Sequence, residues 1–254
     1  MSTASTPVGS PAAATGSEAA SALSAQGLQL AYGDITAVWD ASLTVRPHQV
    51  TVLLGHNGAG KSTLLFGLCG LVSAKRGSIR LGEADITRLP AWRRASRGIA
   101  LVPEGKRVFR DLSVEENLLV SLPSGRRARA ERLEETYAEF PKLADMRRKT
   151  AADLSGGQQQ LLAIAQAVAG RPAVLLVDEP SSGLAPQVFE EILGILRNLR
   201  DRGLAILLVE QQVTEVLSSG VADQVVVMER GHVVREAAAA SVTAESLLSG
   251  IGGG

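Results

Sequence analysis

Val50-Thr51-Val52-Leu53-Leu54-Gly55-His56-Asn57-Gly58-Ala59-Gly60-Lys61-Ser62-Thr63 sets a short apolar run directly against a glycine-rich loop. Val50 to Leu54 has the length and continuity of a strand buried on both faces. Gly55 to Ser62 fits the pattern GxxxxGK[ST], and the residues after it open a helix. The glycines let the backbone bend so that successive N–H groups converge on phosphate oxygens. The helix start adds unpaired N–H groups and a positive dipole end. Lys61 supplies a mobile cation for the β- and γ-phosphates of a nucleotide, and the Ser62 hydroxyl is an oxygen ligand suited to Mg²⁺. A chance match in a chain of 26 glycines is the alternative, and the strand before the loop and the helix after it argue against that.

Working outward, Ala173-Val174-Leu175-Leu176-Val177-Asp178-Glu179 is a second apolar strand that ends in two carboxylates. At the carboxyl edge of a parallel sheet it lies beside the phosphate loop. Asp178 is then expected in the Mg²⁺ shell, and Glu179 as the base that orients and deprotonates an attacking water. A helix-capping acidic pair is the other reading. Ile99 to Val102 and Leu204 to Val209 are further runs of strand length. Pro186 can open a helix whose apolar face is Phe189, Ile192, Leu193, Leu196 and Leu199, stopping at Gly203. Strands alternating with helices predict an α/β fold with a parallel sheet. Val114 to Lys149 lacks a buried strand and reads as a helical insert. Within it, Arg126 to Phe140 forms a helix, and Arg126, Arg127, Arg129 and Arg132 give that helix a solvated face.

The 254 residues are 45% hydrophobic and 20% charged, enough chain for a full core without disulfides or structural metals. Lysine plus arginine and aspartate plus glutamate both number 26, so the chain is not built to coat nucleic acid or anionic lipid. The single Cys69 excludes an internal disulfide framework and a cysteine-clustered zinc site. The longest apolar run, Leu204 to Val209, is six residues, whereas a membrane helix needs about 20. Residues 1–26 are dominated by Ala, Ser, Thr, Gly and Pro, with Glu18 the only charge, and are expected to be a disordered tail. The glycine-rich end, residues 251–254, is expected to be flexible.

Leu154-Ser155-Gly156-Gly157-Gln158 precedes a further apolar helix. Ser155 reads as its N-cap, and the two glycines expose the first N–H groups. This is a second helix start suited to phosphate, most simply that of a nucleotide held by another subunit. With these motifs in this order, residues 27–250 resemble the ATP-binding subunits of ABC transporters. The resemblance implies a RecA-like P-loop NTPase core with a parallel sheet, an antiparallel β-subdomain and a helical subdomain at about 114–152. It also implies two such subunits stacked head to tail around two ATP molecules. Gly55, His56, Asn57, Gly58, Ala59, Gly60, Lys61, Ser62 and Thr63 of one chain would then face Ser155, Gly156, Gly157 and Gln158 of the other. Tyr32, 23 residues before Gly55, matches the aromatic that stacks on adenine, or is a core strand aromatic.

Three positions depart from the family pattern. Ala185 stands where an aspartate is usual, which puts coupling across the dimer through that residue in doubt. Glu104 replaces a glutamine that touches Mg²⁺ and senses the membrane partner; it still offers the metal an oxygen ligand but adds a negative charge. Gln211 replaces a histidine near the γ-phosphate, and its amide can donate a hydrogen bond but cannot become cationic. The strings VPEGKRVF, LSVEENLL, DEPSSGLAP and LLVEQQ are similar to the LivF-type subunit of branched-chain amino acid importers. That implies a different, LivG-type ATPase partner, two transmembrane permease subunits, a solute-binding protein and a peripheral place on the cytoplasmic face of the membrane. Lys106, Arg107 and Phe109 are candidate permease contacts, with packing under the loop the alternative for Phe109. Urea or short-chain amide importers, and non-transport ABC ATPases, use similar subunits. The LSGGQ element argues against a P-loop kinase.

Overall fold

The computed structural model describes residues 22–105, 107–122 and 126–251. The expected tail from residue 1 to 21, the end at 252–254 and the candidate contact Lys106 lie outside the described residues. In chain order the elements are β1 (Leu23–Tyr32), β2 (Ile35–Val45), β3 (Val50–Leu54), α1 (Lys61–Cys69), β4 (Ala74–Leu81), β5 (Ala84–Asp85), α2 (Ala91–Ala95) and β6 (Ile99–Val102). Then come α3 (Val114–Ser121), α4 (Arg126–Glu139), α5 (Pro141–Ala144) and α6 (Gly156–Ala169). The chain closes with β7 (Val174–Asp178), α7 (Pro186–Asp201), β8 (Ala205–Glu210), α8 (Val213–Ser218), β9 (Gln224–Glu229), β10 (His232–Ala238) and α9 (Ala244–Ile251).

Two of these boundaries correct the expected organisation. Leu23 and Ala25 are buried in β1, so ordered structure begins inside the expected tail of 1–26. At the other end, Ile251 still belongs to α9.

The strands form two sheets. The larger has the order β10-β9-β3-β8-β7-β6, parallel except for the β9–β10 hairpin. The smaller, β2-β1-β4-β5, is antiparallel. Successive side chains of the large sheet enter opposite cores. Val50, Val52, Leu175, Val177, Ile206 and Leu208 pack with α6, α7 and the insert helices. Leu53, Val174, Leu176, Leu207 and Val209 pack with α1 and the antiparallel sheet. Both faces are covered, which is why β3, β7 and β8 read as apolar runs, interrupted in β3 by the buried Thr51.

The helical stretch 114–152 has no separate core. Leu118, Leu133, Tyr137, Phe140 and Leu143 belong to the same cluster as Val52 and Leu175. Ion pairs also join it to the rest: Arg171 to Glu135 at 2.6 Å, Arg202 to Glu139 at 2.5 Å and Lys142 to Glu191 at 2.7 Å. These pairs are largely exposed, so they orient the insert more than they stabilise it. All five residues of the expected apolar face of α7 are buried.

Candidate functional site

The carboxyl ends of β3, β7 and β8 bring the chemical groups together. Gly60 caps α1 with φ 99°, a left-handed conformation in which a side chain would be strained. A Cβ there would also stand 2.6 Å from the Ala37 carbonyl oxygen, so the loop lies tight against β2. The Lys61 ammonium is held inside the loop it serves. It donates to the carbonyls of Gly55 at 2.8 Å and His56 at 3.1 Å, and stands 3.5 Å from Glu179 Oε1.

Asp178 ends β7 and accepts a hydrogen bond from Ser62 Oγ at 3.2 Å. Burial, reinforced by the charges of Glu179 and Glu104, pushes its carboxyl up to about 6, against the hydrogen bond from Ser62 and the charge of Lys61. Glu179 has φ 42°, unusual for a residue with a Cβ, and its N–H is held by the Val209 carbonyl at 3.0 Å. Its Oε2 accepts the Gln211 side-chain amide at 2.6 Å. Lys61, Glu179 and Gln211 thus form one polar chain from the phosphate loop to the end of β8. α7 starts at Pro186 with Ala185 as its N-cap, so Asp178 and Glu179 cap no helix.

A cavity of about 560 Å³ opens onto these groups. Asn57, Gly58, Gly60, Lys61, Ser62 and Thr63 line it from the loop, and Glu104, Glu179, Ser182 and Gln211 from the strand ends. Gly55, His56 and Ala59 shape the loop from outside that lining. Glu104 is exposed and accepts from Ser182 Oγ at 3.1 Å. Tyr32 also lies outside the lining, at the tip of the β1–β2 hairpin, and is 51% exposed, so it is not a core aromatic.

Ser155 to Gln158 do not line the cavity. Ser155 Oγ accepts from the Gln158 N–H at 3.3 Å, and Gln158 Oε1 accepts from the Ser155 N–H at 2.9 Å, a capping box at the start of α6. Phe109 is 53% exposed rather than packed under its loop. The buried Asn117 holds that loop by exchanging hydrogen bonds with the Phe109 N–H and carbonyl at 2.8 and 2.9 Å. Cys69 is buried, which raises its thiol pKa.

The donor set fits a small hard cation beside phosphates. Among the described residues there is no group of three or more His, Cys, Asp or Glu at metal-ligand spacing. Ser62 and Asp178 offer a hydroxyl and a carboxylate, and Mg²⁺ is usually held by one or two protein oxygens plus the oxygens of its nucleotide.

Two features had no motif to reveal them. Glu210, at the end of β8, is 1% exposed and bonded to Ser181 and Gln211. Its sequence signal was available: like Asp178, it is an acid closing an apolar strand. An apolar groove of about 400 Å³ lies between α2, β6 and the end of α6, and Leu71 and Trp92, both exposed, line it.

The family profile described as ABC transporter matches residues 38–182. The high-affinity branched-chain amino acid transport ATP-binding protein BraG of Pseudomonas aeruginosa is 41% identical over 204 residues, covering 80% of this chain and 87% of BraG. The lipopolysaccharide export system ATP-binding protein LptB of Escherichia coli is 36% identical over 216 residues, covering 84% and 88%. A nucleotide-free ATP-binding cassette from an ABC transporter superposes with TM-score 0.78 at 25% identity, covering 90% of this chain and 95% of that one. An ATP-binding cassette in its ADP conformation gives 0.79 at 25%, covering 91% and 94%.

Proposed function

The chain belongs to the ABC transporter family as an ATP-binding, ATP-hydrolysing subunit, and from that premise we propose that it powers the import of branched-chain amino acids. The observation that carries the hydrolytic reading is the polar chain Lys61–Glu179–Gln211 on the wall of the phosphate-loop cavity. Support for the solute comes from the 41% identity to BraG and from the motif strings quoted above. LptB, at 36%, is named for a lipopolysaccharide export system, so a transporter of another solute is the second reading.

In the proposed mechanism, Gly55 to Thr63 wrap the phosphates of ATP with backbone N–H groups. Lys61 exchanges the Gly55 and His56 carbonyls for phosphate oxygens. Glu179 takes a proton from the water that attacks the γ-phosphorus, with the Gln211 amide fixing its carboxylate, and the bond from that phosphorus to the β-phosphate oxygen breaks to leave ADP and phosphate. Ser62 and Asp178, with Glu104 as a further oxygen donor, would hold Mg²⁺, whose charge would offset that of the phosphates. Tyr32 is the proposed adenine-stacking residue. Ser155, Gly156, Gly157 and Gln158 face the nucleotide of a second ATPase subunit, proposed to be a LivG-type chain. The groove at Leu71 and Trp92 offers an apolar seat for a permease, and the exposed Arg107 and Phe109 remain candidate contacts of their own. Among the described residues no helix is long and apolar enough to cross a membrane, which suits a peripheral subunit.

Because Gln211 cannot become cationic, the two ATP sites of a mixed dimer are proposed to be unequal. Uptake of labelled leucine by cells carrying the wild-type chain, and its loss with Lys61→Ala, tests the whole reading. Normal leucine uptake with Lys61→Ala would defeat it.

A further inference from the structure

Two buried carboxylates at the strand ends, Asp178 and Glu210, lie behind the lining of the cavity, and only Asp178 has a role in the reading above. Glu210 closes β8 at 1% exposure. Its Oε1 accepts the Ser181 N–H at 3.0 Å, and its Oε2 accepts the Ser181 hydroxyl at 2.9 Å and the Gln211 N–H at 3.1 Å. Ser181 is buried too, in the loop that leaves β7 after Glu179. The next residue, Ser182, donates to Glu104 at 3.1 Å beyond β6. Two adjacent serines therefore join the ends of three neighbouring strands. The Glu210 tie is buried, whereas the Glu104 tie is exposed. A buried carboxylate is a poor device for stability alone, since apolar groups of similar volume often serve as well or better. Its bonds go instead to Ser181, two residues after Glu179, and to the backbone N–H of Gln211.

We propose that Glu210 is a positioning residue for ATP hydrolysis: it locks the β7 and β8 loops together so that the Gln211 amide meets the Glu179 carboxylate. The role rests on the reading of Glu179 and Gln211 as the hydrolytic pair. Breaking the tie frees both loops and lets Gln211 swing away. The phosphate loop has its own bonds and keeps its hold on ATP. Misplacement by about 1 Å is enough for a large rate loss.

The test uses the full chain assembled with its second ATPase subunit, and two readouts. In ATPase assays, Glu210→Ala lowers kcat by about 30-fold with KM within about twofold. The near-isosteric Glu210→Gln keeps one acceptor oxygen for two backbone N–H groups, so it recovers only part of that loss. In a Gln211→Ala background, Glu210→Ala costs little more, because the amide it positions is already gone. In ¹⁵N spectra, the Gln211 side-chain amide moves toward its free position in Glu210→Ala but not in Ser182→Ala. A merely structural role would lower kcat by the same factor in both backgrounds and leave the Gln211 amide signal in place, and either result overturns the proposal. Should Glu210→Ala fail to fold, Ser181→Ala removes one bond of the same tie and takes its place in each measurement. The spectrum tests the tie even in a chain that hydrolyses no ATP, so failure of the hydrolytic reading remains distinguishable.

Discussion

Asp178 sits where folding favours a neutral group. It is 2% exposed, and the desolvation that dominates its environment raises its pKa from 3.8 to about 6. The folded chain therefore holds that proton more tightly than the unfolded chain does. Stability is lost as pH rises from about 4 to about 6, and the cost is fully present above that window. Asp178→Asn in the metal-free chain should raise the melting temperature by a few degrees at pH 8 and change little near pH 4. Mg²⁺ with ATP should reverse the order, stabilising the wild type more than the variant. Thermal melts with and without Mg-ATP at the two pH values check both signs. The residues of this site were unequally legible. Lys61, Ser62, Asp178 and Glu179 stand in local strings whose order carries the chemistry. The bond between Gln211 and Glu179 joins residues 32 positions apart and needs β7 beside β8. Glu210 closes an apolar strand as Asp178 does, but its partner Ser181 is 29 positions away, so only the packing shows what it ties together.

At the scale of elements, the start of α6 has two reasons for its glycines. A Cβ on Gly157 would run into Val188 of α7, so the residue lets two helices approach as well as exposing N–H groups. The double variant Gly157→Ala/Val188→Ala separates these reasons. It should regain most of the melting temperature lost by Gly157→Ala alone, yet remain slow in ATP hydrolysis by the assembled subunits. Full recovery of hydrolysis would make the glycine a packing device only. A second junction lies at the other end of the phosphate-loop helix. Arg94 is 1% exposed, and its guanidinium donates to the carbonyls of Gly67 and Leu68 at the end of α1, at 2.8 and 2.9 Å. It also donates to those of Leu89 and Thr87, at 2.9 and 2.8 Å. Arg94→Met would leave buried carbonyls unpaired, and a loss of about 3 kcal/mol in urea titrations is expected. Continuous apolar runs made β3 and β6 legible to the residue, and β7 and β8 to within one. The strand β1 was less so. Its pairing with β2 and β4 shifts register repeatedly, which breaks the alternation that would have marked Leu23–Tyr32 against an alanine- and serine-rich lead-in.

Across the whole molecule, the two helix starts suited to phosphate do not share a cavity. The phosphate loop meets Glu179 and Gln211, while Ser155 to Gln158 stand outside that lining with their capping bonds turned on one another. In the proposed reading a single chain holds one half of each of two sites, and a second subunit supplies the rest. Its identity decides whether the absence of a histidine at Gln211 matters, because a partner that carries one would make the pair asymmetric. Glu179→Gln should slow hydrolysis and trap any closed dimer that ATP can form. On gel filtration with ATP and Mg²⁺, this variant alone is expected to elute as one chain. It should form a dimer only when mixed with a second ATPase subunit carrying the histidine. An ATP-dependent dimer of Glu179→Gln by itself would mean that the surface around Ser155 pairs with its own kind. Both sites would then share the same Gln211, and the proposed inequality would lose its physical basis.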